Sequence, residues 1–229
     1  QRSPGRSIRL PDFFATAAAL FLAVGIGVPL FQSVQSNERI TMSQHRLGTV
    51  GSAIAGFSID RGGALPLSES DDQRETPLHR QVYSQNLSEL IEGDRCGFSS
   101  LFAGSEAEAT PMVGYRVFVN RKTFNYAQFS PDDVLLSDPN PVLESFRVDG
   151  RRAGPMSGAA MHDEKGLVVF RFDGSTPFIV QPIVFDADQK ADSKSSPRMD
   201  MIWVSDGYRH GDQDGIGWPN TDSDDVLAH

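Results

Sequence analysis

The residues with the most evident chemical capacity lie late in the chain, in the run Asp206-Gly207-Tyr208-Arg209-His210-Gly211-Asp212-Gln213-Asp214-Gly215 and then Asp222, Asp224 and Asp225. Calcium takes several oxygen ligands on a tight loop, and D-x-D-G supplies closely spaced carboxylates just before a turn. Asp206, Asp212, Asp214, Asp222, Asp224 and Asp225 are therefore the candidate calcium ligands. No glutamate closes the loop as an EF-hand requires, and a solvated acidic loop accounts for the same residues. His162 with Asp173 and Gly174 offers an acid–base combination. A hairpin explains these residues better: Asp-Gly forms the turn, and His162 caps the strand before it. His45, His79 and His210 are scattered without metal-ligand spacing. Ser157-Gly158 has no identifiable nucleophile partner, and no G-x-S-x-G, phosphate-binding loop or dinucleotide fingerprint appears. The expectation is a protein that is not an enzyme.

Composition narrows the class further. The chain has 229 residues, of which 39% are hydrophobic and 22% charged, as in an ordinary globular protein. That length suits one sizeable domain plus an anchor. Its formal net charge of -9 would repel phosphate backbones, which sets nucleic-acid binding aside. The single cysteine, Cys96, excludes an intrachain disulfide and cysteine-rich zinc sites, and reads as a small buried core residue.

The element that must position everything else is the apolar run Phe13 to Val34, preceded by Arg2, Arg6 and Arg9. As a helix, Phe13 to Leu30 would span roughly 27 Å, enough to cross a bilayer core or to serve as a buried assembly helix. A cleavable secretory signal has a shorter apolar segment and a small-residue cleavage site, so a retained helix fits better. The preceding arginines place its N-terminal side in the cytoplasm. Pro11 suits a first helical turn, and Asp12 suits the positive end of the helix dipole. Gly25 and Gly27 would ease close helix approach, while Pro29 should bend or loosen the rod. Beyond it, Ile40, Leu47 and Ile54 recur every seven residues with Val50 and Phe57 on the same face. Gln35, Asn37, Arg39, Gln44 and Arg46 form the polar side, so an amphipathic helix continues to about Ile59. Gly62-Gly63 and Pro66 stop it.

A modest second helix is expected over Thr76 to Glu92, closed by Gly93. Val113 to Asn120 alternates as a strand. Turns are expected at Ser130-Pro131-Asp132 and at Ser137 to Pro141. Gly166 to Phe172 and Pro177 to Phe185 read as a hairpin around Asp173-Gly174, and Met199 to Val204 as a last strand. Trp203 and Trp218 read as core and edge aromatics, with Trp218-Pro219 alternatively a contact anchor.

The order of these motifs resembles the type IV pilin-like and type II secretion pseudopilin superfamily, in particular its planctomycete-type group with an H-X9-DG motif. Val28-Pro29-Leu30-Phe31-Gln32 is similar to the family's L-P-A-V-Q stretch, and Leu47 and Gly51 fall at its later leucine and glycine. Gly62-Gly63-Ala64-Leu65-Pro66 is similar to its helix exit, and Asp138-Pro139-Asn140-Pro141 to a D-x-N-P segment. The stretch from Ser157 through His162 to Asp173-Gly174 resembles the H-X9-DG motif with one extra intervening residue. The resemblance puts Asp12 at the family's assembly glutamate and Ile8 at the start of the mature chain. The acidic tail after Ile202-Trp203 resembles the end of major pseudopilins, where calcium orders a loop. This sequence departs from the pattern at the processing glycine, which is Ser7 or is shifted to Gly5, and in carrying aspartate rather than glutamate after Pro11.

The resulting expectation is an α+β fold: a basic segment over 1–9, a long N-terminal helix over 10–60 with 13–34 transmembrane, and a small antiparallel sheet in a soluble head over 61–229. The resemblance implies a single-pass inner-membrane structural subunit with a periplasmic head. It would assemble through 13–34 with copies of itself or with other membrane proteins, with Asp12 and Pro29 as assembly residues. The alternatives are an unprocessed accessory subunit of another membrane complex and a membrane-tethered periplasmic ligand-binding module.

Overall fold

The computed structural model describes residues 10–66, 87–105, 109–116, 125–142, 157–185, 199–201 and 227–228; at 10–19, 23, 184–185, 199–201 and 227–228 the description is of the backbone alone. One long helix, α1 (Leu10–Asp60), is followed by two short ones, α2 (Ser88–Glu92) and α3 (Phe98–Leu101). The strands are β1 (Phe102–Ala103), β2 (Thr110–Pro111), β3 (Gly114–Arg116), β4 (Val134–Ser137), β5 (Leu167–Arg171), β6 (Phe178–Ile179), β7 (Ile183–Phe185), β8 (Met199–Met201) and β9 (Leu227–Ala228). The chain divides into two compact units between Arg39 and Ile40, so α1 contributes to both. The α+β architecture, a long N-terminal helix with small antiparallel sheets, is as expected.

In the first unit α1 runs without interruption through Pro29. From Leu20 to Val34 its large apolar side chains are exposed, Phe21 by 80% and Phe31 by 69%. Among the described residues no helix is long and apolar enough to cross a membrane. The side chains of Phe13 to Ala19, the first third of the apolar run, lie outside that description.

The second unit begins with the amphipathic part of α1. Leu47, Val50, Ile54 and Phe57 are buried, and Ile40 packs against the same core from its margin. The seven-residue recurrence places these side chains on one helix face, as the pattern demanded. They share a single core with Tyr115, Leu135, Leu136, Val168, Phe170 and Phe172 of the sheet region and with Leu87, Leu90 and Leu101. The helix comes very close to the sheet at Gly51, where an added Cβ would overlap the Phe170 ring. Only a residue without a side chain lets the helix lie this near the strand.

The main sheet has the order β6-β5-β4-β3-β9, antiparallel throughout. Between Val134 and Leu136 β4 advances two residues while β5 advances one, a bulge centred on Leu135. All four residues of β4 are buried. Helix α1 ends where the glycines require: Gly63 donates to the Ser58 carbonyl at 2.6 Å, and Gly62 and Gly63 have φ of 67° and 98°. Ala64 then bridges to Asn125, whose side chain starts a turn of 3₁₀ helix over Tyr126–Gln128.

Several local expectations are refined. The hairpin turn at Asp173-Gly174 forms, with Gly174 at φ 86° donating to the Arg171 carbonyl. Its second arm is not one strand, however. Phe178–Ile179 pairs with β5, whereas Ile183–Phe185 pairs with β8 in a separate two-stranded sheet. Pro182 has no N–H to give, and Ile183 donates back to Gln181 at 2.8 Å, turning the chain between the two pairings. Gly93 closes α2, but the left-handed residue is the next one, Asp94, with φ 53°. Of the expected helix Thr76 to Glu92, residues 76–86 lie outside the described residues, as do 117–120 of the expected strand at Val113 and 202–204 of the last one.

Candidate functional site

Three side chains from separate parts of the second unit meet in its interior. Ser43 is on α1, Asp138 follows the last residue of β4, and His162 ends a turn of 3₁₀ helix over Ala160–His162. All three are buried, Asp138 completely. The Ser43 hydroxyl donates to Asp138 Oδ1. His162 Nε2 lies 2.9 Å from Asp138 Oδ2, and the Val168 amide donates to that same oxygen at 2.6 Å. As a carboxylate Asp138 can only accept, so Nε2 is the ring nitrogen that carries hydrogen in this pair. Nδ1 of His162 is buried and finds no hydrogen-bond partner among the described residues. The imidazole edge meets the Phe178 ring in a T-shaped contact, with centroids 5.5 Å apart.

Local sequence explains each placement. Ser43 occupies the core face of α1, three residues after Ile40 and four before Leu47. Pro139 and Pro141 end the ladder after β4, and the Asp138 amide still reaches back to the Val168 carbonyl at 3.0 Å. Asn140 accepts from the Val142 amide at 2.9 Å, so the D-x-N-P segment turns by side-chain capping while remaining buried. At Gly158 an added Cβ would strike the backbone of Glu164 and Gly166, which lets the segment leading to His162 fold closely over the start of β5. Two further contacts stand near the cluster: Met161 Sδ is 3.6 Å from Ser43 Oγ, and Gln44 donates to the Thr176 carbonyl at 2.8 Å. Burial pulls the Arg46 guanidinium down from its ordinary range, and the nearby Asp138 charge opposes that shift.

Serine, histidine and aspartate are the residue types of a nucleophilic hydrolase, but the order here is different. The carboxylate stands between the other two, and the hydroxyl donates to the carboxylate rather than to the imidazole. The Ser43 oxygen is therefore not paired with the imidazole as in such a triad, and it is buried. One acceptor group satisfies three buried donors on three chain segments.

His162 was expected to cap the strand before the Asp173 turn, and this is corrected: its ring pairs with Asp138 instead. Nor does it form an acid–base pair with Asp173. That carboxylate is exposed and accepts from the Ser175 amide at 2.8 Å, and bonding to Ser175 holds it below the usual carboxylate range. Of the expected assembly residues, Pro29 lies within α1, and Asp12 is in its first turns with only its backbone described. Asp206, Asp212, Asp214, Asp222, Asp224 and Asp225, together with Trp203 and Trp218, lie outside the described residues. Among the described residues no group of three or more His, Cys, Asp and Glu side chains is placed to hold a metal.

A second feature is an open groove along α1, lined by His45, Gly48, Thr49, Ser52, Ala53 and Gly56 of the helix and by Arg95. Arg95 is ion-paired with Asp60 and lies over the Phe57 ring, as does Arg61.

Reading the sequence passed over Ser43 and noted Asp138 only as part of the D-x-N-P segment. A serine at a core position of an amphipathic helix, and an aspartate directly after the apolar run Val134-Leu135-Leu136, were the available signals. Comparison with protein-family models, with curated proteins and with solved structures gives no match.

Proposed function

We propose that this chain is a pilin-like structural subunit, held in the inner membrane by a single span within 13–34 and assembling through that span with copies of itself or with other membrane proteins. Its N-terminal side faces the cytoplasm and its head the periplasm. The observation that carries this reading is the change of character along α1. From Leu20 to Val34 the helix exposes Leu20, Phe21, Leu22, Val24, Ile26, Val28, Leu30, Phe31 and Val34, an apolar surface interrupted only by Gln32 and Ser33 near its end. From Ile40 onward the same helix is one-sided and packs on a small antiparallel sheet. A helix apolar all round is at home in lipid or among other helices. The motif order of the sequence supports the same reading, since the glycine at its expected place, Gly51, sits directly against the Phe170 ring of the sheet.

The test is a photo-crosslinking residue at Phe21 in native membranes, with products identified by mass spectrometry. Crosslinks to other copies of the chain support a homo-oligomer or filament. Crosslinks to a different membrane protein make it a subunit of a mixed complex. A chain recovered in the aqueous fraction without detergent, with neither product, rejects the proposal.

A further inference from the structure

The fastening of α1 to the head changes in kind at Leu47. From Leu47 to Phe57 the helix is held by fully or nearly fully buried apolar side chains and by the close approach of Gly51 to Phe170. Between Ile40 and Arg46 the only buried side chain is that of Ser43, and it is polar. Ile40 packs at the margin of the core, and polar interactions fasten this turn to the rest of the head. They include the Ser43 hydroxyl to Asp138, the Ser43 contact with Met161, the Gln44 amide to the Thr176 carbonyl, and the attraction between Arg46 and the Asp138 charge.

We propose that the Ser43–Asp138–His162 cluster is a releasable latch: it fastens the turn Ile40–Arg46 to the head by a few directional bonds, so that this turn can detach while the hydrophobic seam from Leu47 onward stays closed. The inference concerns the second unit alone and does not depend on the proposed function. Hydrophobic burial acts over an area and is lost only as the area opens. A hydrogen bond is short-ranged and is broken by a small displacement, and the turn gives up little apolar area when it leaves. On the head, Asp138 keeps two donors at Oδ2, while Oδ1 and the Thr176 carbonyl exchange Ser43 and Gln44 for water. Asp138 keeps the Val168 amide and the His162 ring, both on segments that do not move with the helix. On the helix side, a freed Ser43 hydroxyl would be exposed to water, and its hydrogen bond is exchanged rather than lost. Local opening of this kind, well below the free energy of global unfolding, is how folded domains supply moving parts.

Hydrogen–deuterium exchange of the purified full chain, read by mass spectrometry, tests the latch. The amides of Ile40–Leu47 are expected to exchange measurably faster than those of Val50–Phe57 in the unaltered protein. Ser43→Ala should accelerate the first group by about tenfold or more, the loss of one bond to a charged acceptor. The second group, and Leu167–Arg171 of β5, should keep their rates. Gln44→Ala, a partly exposed site with no risk to the core, should act in the same direction more weakly. Ile54→Ala is the contrast, and should loosen the whole of Ile40–Phe57 together. Overturning results are equally concrete: Ser43→Ala and Gln44→Ala leaving the first group unchanged, or raising exchange across Ile40–Phe57 as one block.

Discussion

Gly51 on the long helix and Phe170 on the central strand β5 are in contact so close that no side chain fits between them: a Cβ at position 51 would overlap the aromatic ring. The ring belongs to the core and is 4% exposed, so it has no solvent-facing space into which to move. Gly51→Ala therefore trades a gain in helix propensity, about 1 kcal/mol, against overpacking that typically costs about 1–3 kcal/mol. The expected outcome is net destabilisation, seen as a lowered denaturation midpoint. Gly51→Ala combined with Phe170→Leu should recover part of the loss. Gly48 is the control, since a Cβ there meets only the Thr176 methyl at an ordinary 4.0 Å; Gly48→Ala should leave the midpoint unchanged or raise it.

At the polar cluster, two substitutions of Asp138 should differ sharply. Asp138→Ala leaves the Ser43 hydroxyl, the Val168 amide and the His162 ring nitrogen without their common acceptor in a buried site. Breaking such a buried arrangement costs about 3–5 kcal/mol. Asp138→Asn keeps one carbonyl oxygen, which can take the place of Oδ2 and accept from Val168 and His162. Its amide then faces Ser43, and a hydroxyl can rotate to accept as well as donate. The cost expected for Asp138→Asn is about 1 kcal/mol. Chemical denaturation curves at neutral pH compare the two, and equal losses would show that the charge itself, rather than the acceptor geometry, holds the cluster.

How far the sequence disclosed this arrangement depends on the kind of force involved. Apolar periodicity reports burial directly, so the core face of α1 and its termination at Gly62-Gly63 were legible from spacing alone. The Asp173-Gly174 turn was legible because a positive φ selects glycine. His162 was noticed, but its partner was not, because Asp138 is 24 residues away and a hydrogen bond between distant segments leaves no periodic trace. Ser137 to Pro141 read as a turn, since proline, asparagine and aspartate favour turns, and nothing in the spacing signalled burial. In the fold those residues are buried, their polar groups satisfied by Asn140 capping Val142 and by the cluster at Asp138. The split of the second hairpin arm near Pro182 shows the same limit, because β-propensity marks strands without naming their partners.

Tyr115 ties the sheet to the segment that follows the long helix. Its hydroxyl donates to the Pro66 carbonyl at 2.9 Å, and the side chain is fully buried. Burial pushes its phenol well above the ordinary tyrosine range. The folded state therefore holds the phenolic proton more tightly than the unfolded chain does. The stability from this group is fully present below the unfolded value, about pH 10, and is lost as pH rises through it toward the folded value. Tyr126, raised chiefly by burial and secondarily by the Asp173 charge, acts in the same sense. Tyr115→Phe should cost about 1 kcal/mol at neutral pH, from the lost bond. It should also flatten the decline of stability above pH 10. Thermal unfolding of both proteins from pH 7 to 11 reads the two effects, and parallel alkaline declines would mean that Tyr115 does not ionise in the unfolding transition.

The apolar surface between Leu20 and Val34 gives the proposed membrane role its most direct test. Leu22 is 63% exposed in the isolated chain and lies near the middle of the apolar run from Phe13 to Val34. A lysine at the centre of a membrane helix costs about 2.5–3.5 kcal/mol on insertion scales. Leu22→Lys should therefore move a substantial share of the protein from the alkali-resistant membrane pellet into the soluble fraction, without altering the melting of the head. Met42 is equally exposed, at 64%, but belongs to the amphipathic part of α1; Met42→Lys should leave both the pellet and the melting curve as they are. Had the exposed surface evolved to bind another soluble protein instead, the unaltered chain would be released by alkali, and Leu22→Lys would change its partners rather than its partition.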